Sequence, residues 1–169
     1  MLFLDLMMSC KEGESEEMKE LIQQGVDIQY SNESGSTVFH EASWYGRSDI
    51  MEYLCEYLLE KEGEDFVMNL LERKNNEGRT ALHNASIQCQ LSVLECVCEF
   101  VLDHGGEEKT LEMMNLKDSK GKTIFDVCGT RKFVSKQDKE NTVEYLNDFI
   151  EKLNQEEGND EEEGNLKSS

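Results

Sequence analysis

Among the 169 residues of this chain there is no proline. Every helix start therefore lacks the ring that presets a first turn, which costs some stability and leaves the fold itself open. No stretch approaches the ~18 apolar residues that a membrane helix needs, so no membrane partner is expected. Met1 to Met8 is apolar but short, carries Asp5 and has no basic flank; it reads as a first helix and not as an export signal. On that reading the six cysteines are reduced thiols. They contain no Cys-x-x-Cys, which argues against a zinc or dithiol site. Glycine patterns that cradle phosphate or a dinucleotide are missing. His40-Glu41 begins like a zinc-protease motif, but position 44, where the second His would stand, is Trp. No cofactor and no metal are expected.

Basic residues are also scarce, 17 against 37 acids, giving a net charge of −20. A field of that sign repels nucleic acid and anionic surfaces and favours basic partners. It also keeps a chain soluble. Hydrophobic residues make up 37%, below the usual ~45–50%, as suits an elongated molecule with a thin core.

What is present is a period. Gly35-Ser36-Thr37-Val38-Phe39-His40 recurs as Gly78-Arg79-Thr80-Ala81-Leu82-His83 and as Gly121-Lys122-Thr123-Ile124-Phe125-Asp126, each 43 residues after the last. A fixed period of this length means stacked units, none able to bury its apolar face alone. Each Thr suits a helix N-cap, and each Gly suits a tight turn. After Thr37 the pattern predicts a short helix ending at Gly46, then a longer one with Ile50, Leu54 and Leu58 on one face. The next unit repeats this with Val93, Val97 and Val101.

These residues resemble the ankyrin repeat: Gly35, Thr37, His40, Ala42, Gly46, Ile50 and Leu54 in one unit, and Gly78, Thr80, Leu82, His83, Ala85, Val93 and Val97 in the next. Glu17 to Ile28 resembles the ending of a further, N-terminal unit. The resemblance covers about residues 2–150. It implies an all-α ankyrin-repeat solenoid of about four helix-pair repeats, with a C-terminal capping helix at Glu140 to Leu153. Units are expected at about 1–31, 32–74, 75–117 and 118–153, with residues 154–169 as an acidic disordered tail. Val38, Ala81 and Ile124 stand where the family has Pro. The period exceeds the family's usual ~33. The surplus after each long helix, Lys61 to Leu71 and Gly105 to Leu116, is acidic first and apolar second, and predicts an extended outer helix or an extra short helix folded onto the outer layer. Segment 130–139 is expected to loop, and the last helix to present Val143, Leu146, Ile150 and Leu153.

The resemblance gives His40 and His83 a structural role, tying neighbouring loops by hydrogen bonds. Cys55 and Cys98 are 43 apart, one slot in successive units, as buried small hydrophobes would be. In this architecture the two positions before the helix-ending Gly line the concave groove. Trp44 and Tyr45, Ile87 and Gln88, and Thr130 and Arg131 are therefore candidate partner-binding residues, Trp and Tyr being common interface anchors. The turn tips supply a second set: Glu33, Ser36, Glu77, Arg79, Lys120 and Lys122. The expected function is a non-enzymatic scaffold that binds, sequesters or tethers another protein with a basic surface. Repeats plus an acidic tail also resemble the inhibitor-of-kappa-B class, which covers Rel-type transcription factors, and short viral mimics or microbial effectors of that kind. An adaptor recruiting a target to a ubiquitin ligase is a further alternative. The cytoplasm is the expected location, with the nucleus or a host cell's cytoplasm as alternatives.

Overall fold

A computed structural model describes residues 2–166, with side chains described through Gln155. The described residues form helices and loops without a strand. Four helix pairs follow one another: α1 (Leu2–Glu12) with α2 (Ser15–Gln23), α3 (Val38–Tyr45) with α4 (Ser48–Glu62), α6 (Ala81–Gln88) with α7 (Leu91–Met114), and α8 (Ile124–Val127) with α9 (Lys136–Leu166). α1, α3, α6 and α8 pack side by side as an inner layer, and α4, α7 and α9 pack in the same order outside. This is the all-α ankyrin-repeat solenoid that the resemblance implies.

The apolar stripes explain the stacking. Val38, Phe39 and Ala42 on α3, Leu82 and Ala85 on α6, and Ile50, Leu54 and Leu58 on α4 are all buried, as are Val93, Val97 and Val101 on α7. Small residues at Ala42 and Ala85, both 0% exposed, let inner helices approach closely. Full burial of each larger side chain contributes about 1.5–3 kcal/mol.

Each surplus segment adds a short helix. α5 (Glu64–Glu72) follows a break at Gly63 (φ 90°), and α7 breaks at Gly106 (φ 76°) before a last short stretch. The two glycines are 43 residues apart, and positive φ is what Gly supplies at little cost. Val67, Leu70 and Leu71 in one insert and Thr110, Met113 and Met114 in the next are buried at matching positions. α5 packs on α4 and α7, and Lys109 pairs with Glu72 across the two inserts. The extra length therefore belongs to the repeat.

The C-terminal unit departs from expectation. α9 starts at Lys136, not Glu140, because Ser135 caps it: the Asp138 amide donates to Ser135 Oγ at 3.1 Å, and that hydroxyl donates to Asp138 Oδ2 at 2.6 Å. Its buried face is Thr142, Leu146, Phe149 and Leu153, while Val143 is exposed. The stripe is turned by one residue from the expected one. The helix runs on to Leu166, through the segment expected to be disordered from residue 154. Glu and Gln are good helix formers and no proline interrupts them. Residues 167–169 of the expected tail lie outside the described residues. α8 has only four residues, so Thr130 and Arg131 lie beyond it in a loop and not on an inner helix.

Candidate functional site

Three finger-like turns project beside the inner helices. In each, one side chain organises the backbone. Asn32 Oδ1 accepts from the amides of Ser34 and Ser36, both at 3.0 Å. Asn75 Oδ1 accepts from Glu77 and Arg79 at 3.0 and 3.1 Å, and Asp118 Oδ1 from Lys120 and Lys122 at 2.8 and 2.9 Å. Such Asx turns fix a tight reversal. Successive fingers are stitched together: the Asn76 amide donates to Ser34 O at 2.9 Å, and the Ser119 amide to Glu77 O at 3.0 Å. Sequence reasoning placed these turns but missed their organisers, although Asn32, Asn75 and Asp118 stand at the same 43-residue period.

Behind each finger a Thr closes a capping box. The Thr37 amide donates to His40 Nδ1 at 3.2 Å, and the Thr80 amide to His83 Nδ1 at 3.3 Å. With Nδ1 accepting, Nε2–H donates forward: to Arg79 O at 2.9 Å from His40, and to Lys122 O at 3.0 Å from His83. Each imidazole thus ties its own helix to the next finger. Burial holds both below the ordinary histidine pKa. Asp126 replaces His in the last unit. Its Oδ2 accepts from the Thr123 amide at 2.9 Å and from the Thr123 hydroxyl at 3.0 Å, and these bonds, the amide first, hold its carboxyl below the usual range.

Between fingers and inner helices lies a recess of about 330 Å³ lined by Ser34, Ser36, Asn75, Asn76 and Glu77 from the fingers and by Glu41, Trp44, Tyr45 and Asn84 from α3 and α6. The two candidate surfaces therefore meet in one groove. Burial raises the Glu41 carboxyl, with Lys11 opposing. Tyr45 is half-buried with Lys11 Nζ 5.8 Å from its ring centre. Farther along, three units converge: the Arg131 guanidinium lies 4.7 Å over the Trp44 ring. The Gln88 amide oxygen, oriented by its hydrogen-bonding neighbours, accepts from Trp44 Nε1–H and Arg131 Nη1–H, each at 3.1 Å. Arg131 reaches the groove despite standing outside an inner helix, and Thr130 is exposed with its hydroxyl donating to Val127 O.

Two sequence candidates are not surface residues. Ile87 is 5% exposed and Ser36 7%, and the Ser36 hydroxyl accepts from Ser34 Oγ at 3.1 Å within its own finger, at the edge of the recess. Glu33, Glu77, Lys120 and Lys122 are exposed, while Arg79 is half-buried and pairs with Glu77 at 2.6 Å. A further link went unforeseen. Arg47 donates to Lys11 O at 2.8 Å and Gln90, one period on, to Trp44 O at 3.3 Å, each reaching back to the preceding inner helix. The residue before Gln90 is Cys89 at φ 54°, where the preceding unit has Gly46 at φ 70°.

The cysteines behave as core. Cys55 and Cys98 are 1% exposed, and burial raises both thiols, Cys98 to about 12. Among the described residues no group of three or more His, Cys, Asp or Glu has the geometry to hold a metal ion, and no helix is long and apolar enough to cross a membrane.

Comparison with known families bears directly on this geometry. The family model described as "Ankyrin repeats (3 copies)" matches residues 6–66. No curated protein matches the chain. Ankyrin repeats are in general non-enzymatic protein–protein interaction modules. The matched segment takes in α1 to α4 and consists of ankyrin repeats, and the finger, capping box and paired helices seen there recur one period on, so that the described residues have the ankyrin-repeat fold.

Proposed function

We propose that this protein acts without catalysis, holding a segment of another protein in the groove between its fingers and inner helices. The observation that carries this is the convergence of both candidate surfaces, turn tips and inner-helix ends, on one recess. Its walls are rigid before any partner arrives, since the fingers are bonded to one another and to the histidines behind them. Preorganisation of this kind spares a binder the ordering cost of association. Glu41 and Glu77 give this part of the groove negative charge, which suits a basic segment. Tyr45 offers an amphipathic anchor. Binding here sequesters or tethers the partner, in the cytoplasm or wherever the partner resides.

The test is affinity capture from lysate, comparing wild type with Tyr45→Ala and with Glu77→Lys, each first shown to melt like wild type. A partner lost in both variants supports the groove. A partner retained in both rules it out. Recovery of a Rel-type transcription factor decides for the inhibitor reading, and recovery of ubiquitin-ligase subunits for the adaptor.

A further inference from the structure

The charge of this molecule is not spread evenly. Residues 117–139 carry seven of the 17 basic residues and three acids, a local +4 within a chain of −20. Lys120 and Lys122 belong to the last finger, and Arg131, Lys132 and Lys136 to the loop and helix start that follow α8. α8 spans four residues, about 6 Å of rise, so finger and loop flank a single helical turn at one end of the groove. All five cations are exposed. Among the described residues Lys120, Lys122 and Lys132 form no ion pair, and Lys136 pairs only with the exposed Glu140 at 3.2 Å. Next to Lys132 in the same loop stands Phe133, 85% exposed. An aromatic ring left in water beside an exposed lysine contributes little to this fold, and its apolar surface is free for a partner.

We infer that the C-terminal end of the groove binds an acidic protein segment carrying an apolar side chain, whose carboxylates meet Lys120, Lys122 and Lys132 and whose apolar group covers Phe133. The inference rests on the groove reading above and adds a direction to it. The end lined by Glu41 and Glu77 takes the basic part of the partner, and this end takes the acidic part. Charge argues for a short peptide over a longer polyanion. A nucleic acid or an anionic membrane extends beyond the patch and meets the field of a −20 molecule, whereas a peptide lying within the ~8 Å Debye length of physiological salt feels mainly the local cations.

The test uses the full chain and a fluorescein-labelled peptide of alternating Glu and Leu, read by fluorescence anisotropy. A Lys/Leu peptide, a DNA duplex and vesicles with phosphatidylserine serve as competitors. Phe133→Ala and Lys132→Glu are both exposed substitutions, checked by thermal melting. The expected result is preferential binding of the Glu/Leu peptide, weakened about tenfold by Phe133→Ala, the loss of roughly 1.4 kcal/mol, with affinity falling steeply in salt and a shallower salt slope for Lys132→Glu. Equal binding of the Lys/Leu peptide, indifference to both substitutions, or displacement by DNA or vesicles more readily than by unlabelled peptide overturns it. Because this assay needs no natural partner, its failure leaves the capture result standing. Conversely, capture insensitive to Tyr45 and Glu77 alongside selective peptide binding removes the groove reading and not the basic end.

Discussion

The two central units and the C-terminal one begin with the same phrase and end differently. In the units starting at Thr37 and Thr80, the residue three places on is His, and its Nε2–H reaches the finger of the unit that follows. In the unit starting at Thr123 it is Asp126, which among the described residues bonds to its own Thr and to no following finger. The same contrast appears in the turn glycines. A Cβ on Gly78 would meet the Ser119 backbone nitrogen at 2.5 Å, while one on Gly121 would meet nothing within 4 Å. Both differences have one cause: a following finger stacks on the first two fingers and, among the described residues, none stacks on the third. A repeat motif thus mixes residues that make the unit with residues that couple it to the next.

The strongest way to break this comparison is to attack the coupling in the core. Ala85 is 0% exposed on α6, which packs between α3 and α8. Ala85→Asp is expected to destabilise by about 4 kcal/mol, as an unpaired buried charge does, measured by urea unfolding. Unchanged unfolding would mean that the inner helices do not stack in this register. Next comes the glycine pair. Gly78→Ala faces both the left-handed φ and a backbone clash, and about 2–3 kcal/mol is expected. Gly121→Ala faces the φ cost alone, about 1 kcal/mol. Equal losses would erase the distinction. The histidine comparison is smaller: His83→Ala should cost about 2 kcal/mol through its lost buried hydrogen bonds, and Asp126→Ala about 1 kcal/mol or less as an exposed cap.

The smallest effect is one of pH. Burial lowers the pKa of both imidazoles in the folded chain, whereas in the unfolded chain a His takes up a proton near pH 6.5. Stability from this source is therefore complete above about pH 6.5 and is lost as pH falls below it, because the unfolded state then binds more protons. The melting temperature should be lower at about pH 5 than at about pH 7.5, and His83→Gln should reduce that difference. A difference as large in the His83→Gln, His40→Gln double variant would assign the pH dependence to the carboxylates.

Much of this architecture was legible because it repeats. A 43-residue period carries the fingers, the Thr caps, the inner histidines and even the breaks at Gly63 and Gly106. Where the period stops, legibility stops with it. The shortness of α8 follows from Gly129 (φ 61°) arriving before a full inner helix is made, and the early start of α9 follows from Ser135 and Asp138, a capping pair open to reading from the sequence. Burial of Ile87 and Ser36 was not readable, since position in the motif says which layer a residue joins and not which way it faces within it. The meeting of Trp44, Gln88 and Arg131 was half readable: their positions were singled out, but the bonds that join them depend on a loop with no counterpart in the other units.

The central claim is that a partner lies along the groove. Amide hydrogen exchange on the protein alone and bound to its captured partner tests it most directly. The account predicts new protection in the fingers at 32–36 and 75–79 and at the ends of α3 and α6, with α4 and α7 unchanged. Protection confined to α4 and α7, whose outer recess is lined by Glu52, Glu56, Glu95 and Glu99, would place the partner on the opposite face and contradict it.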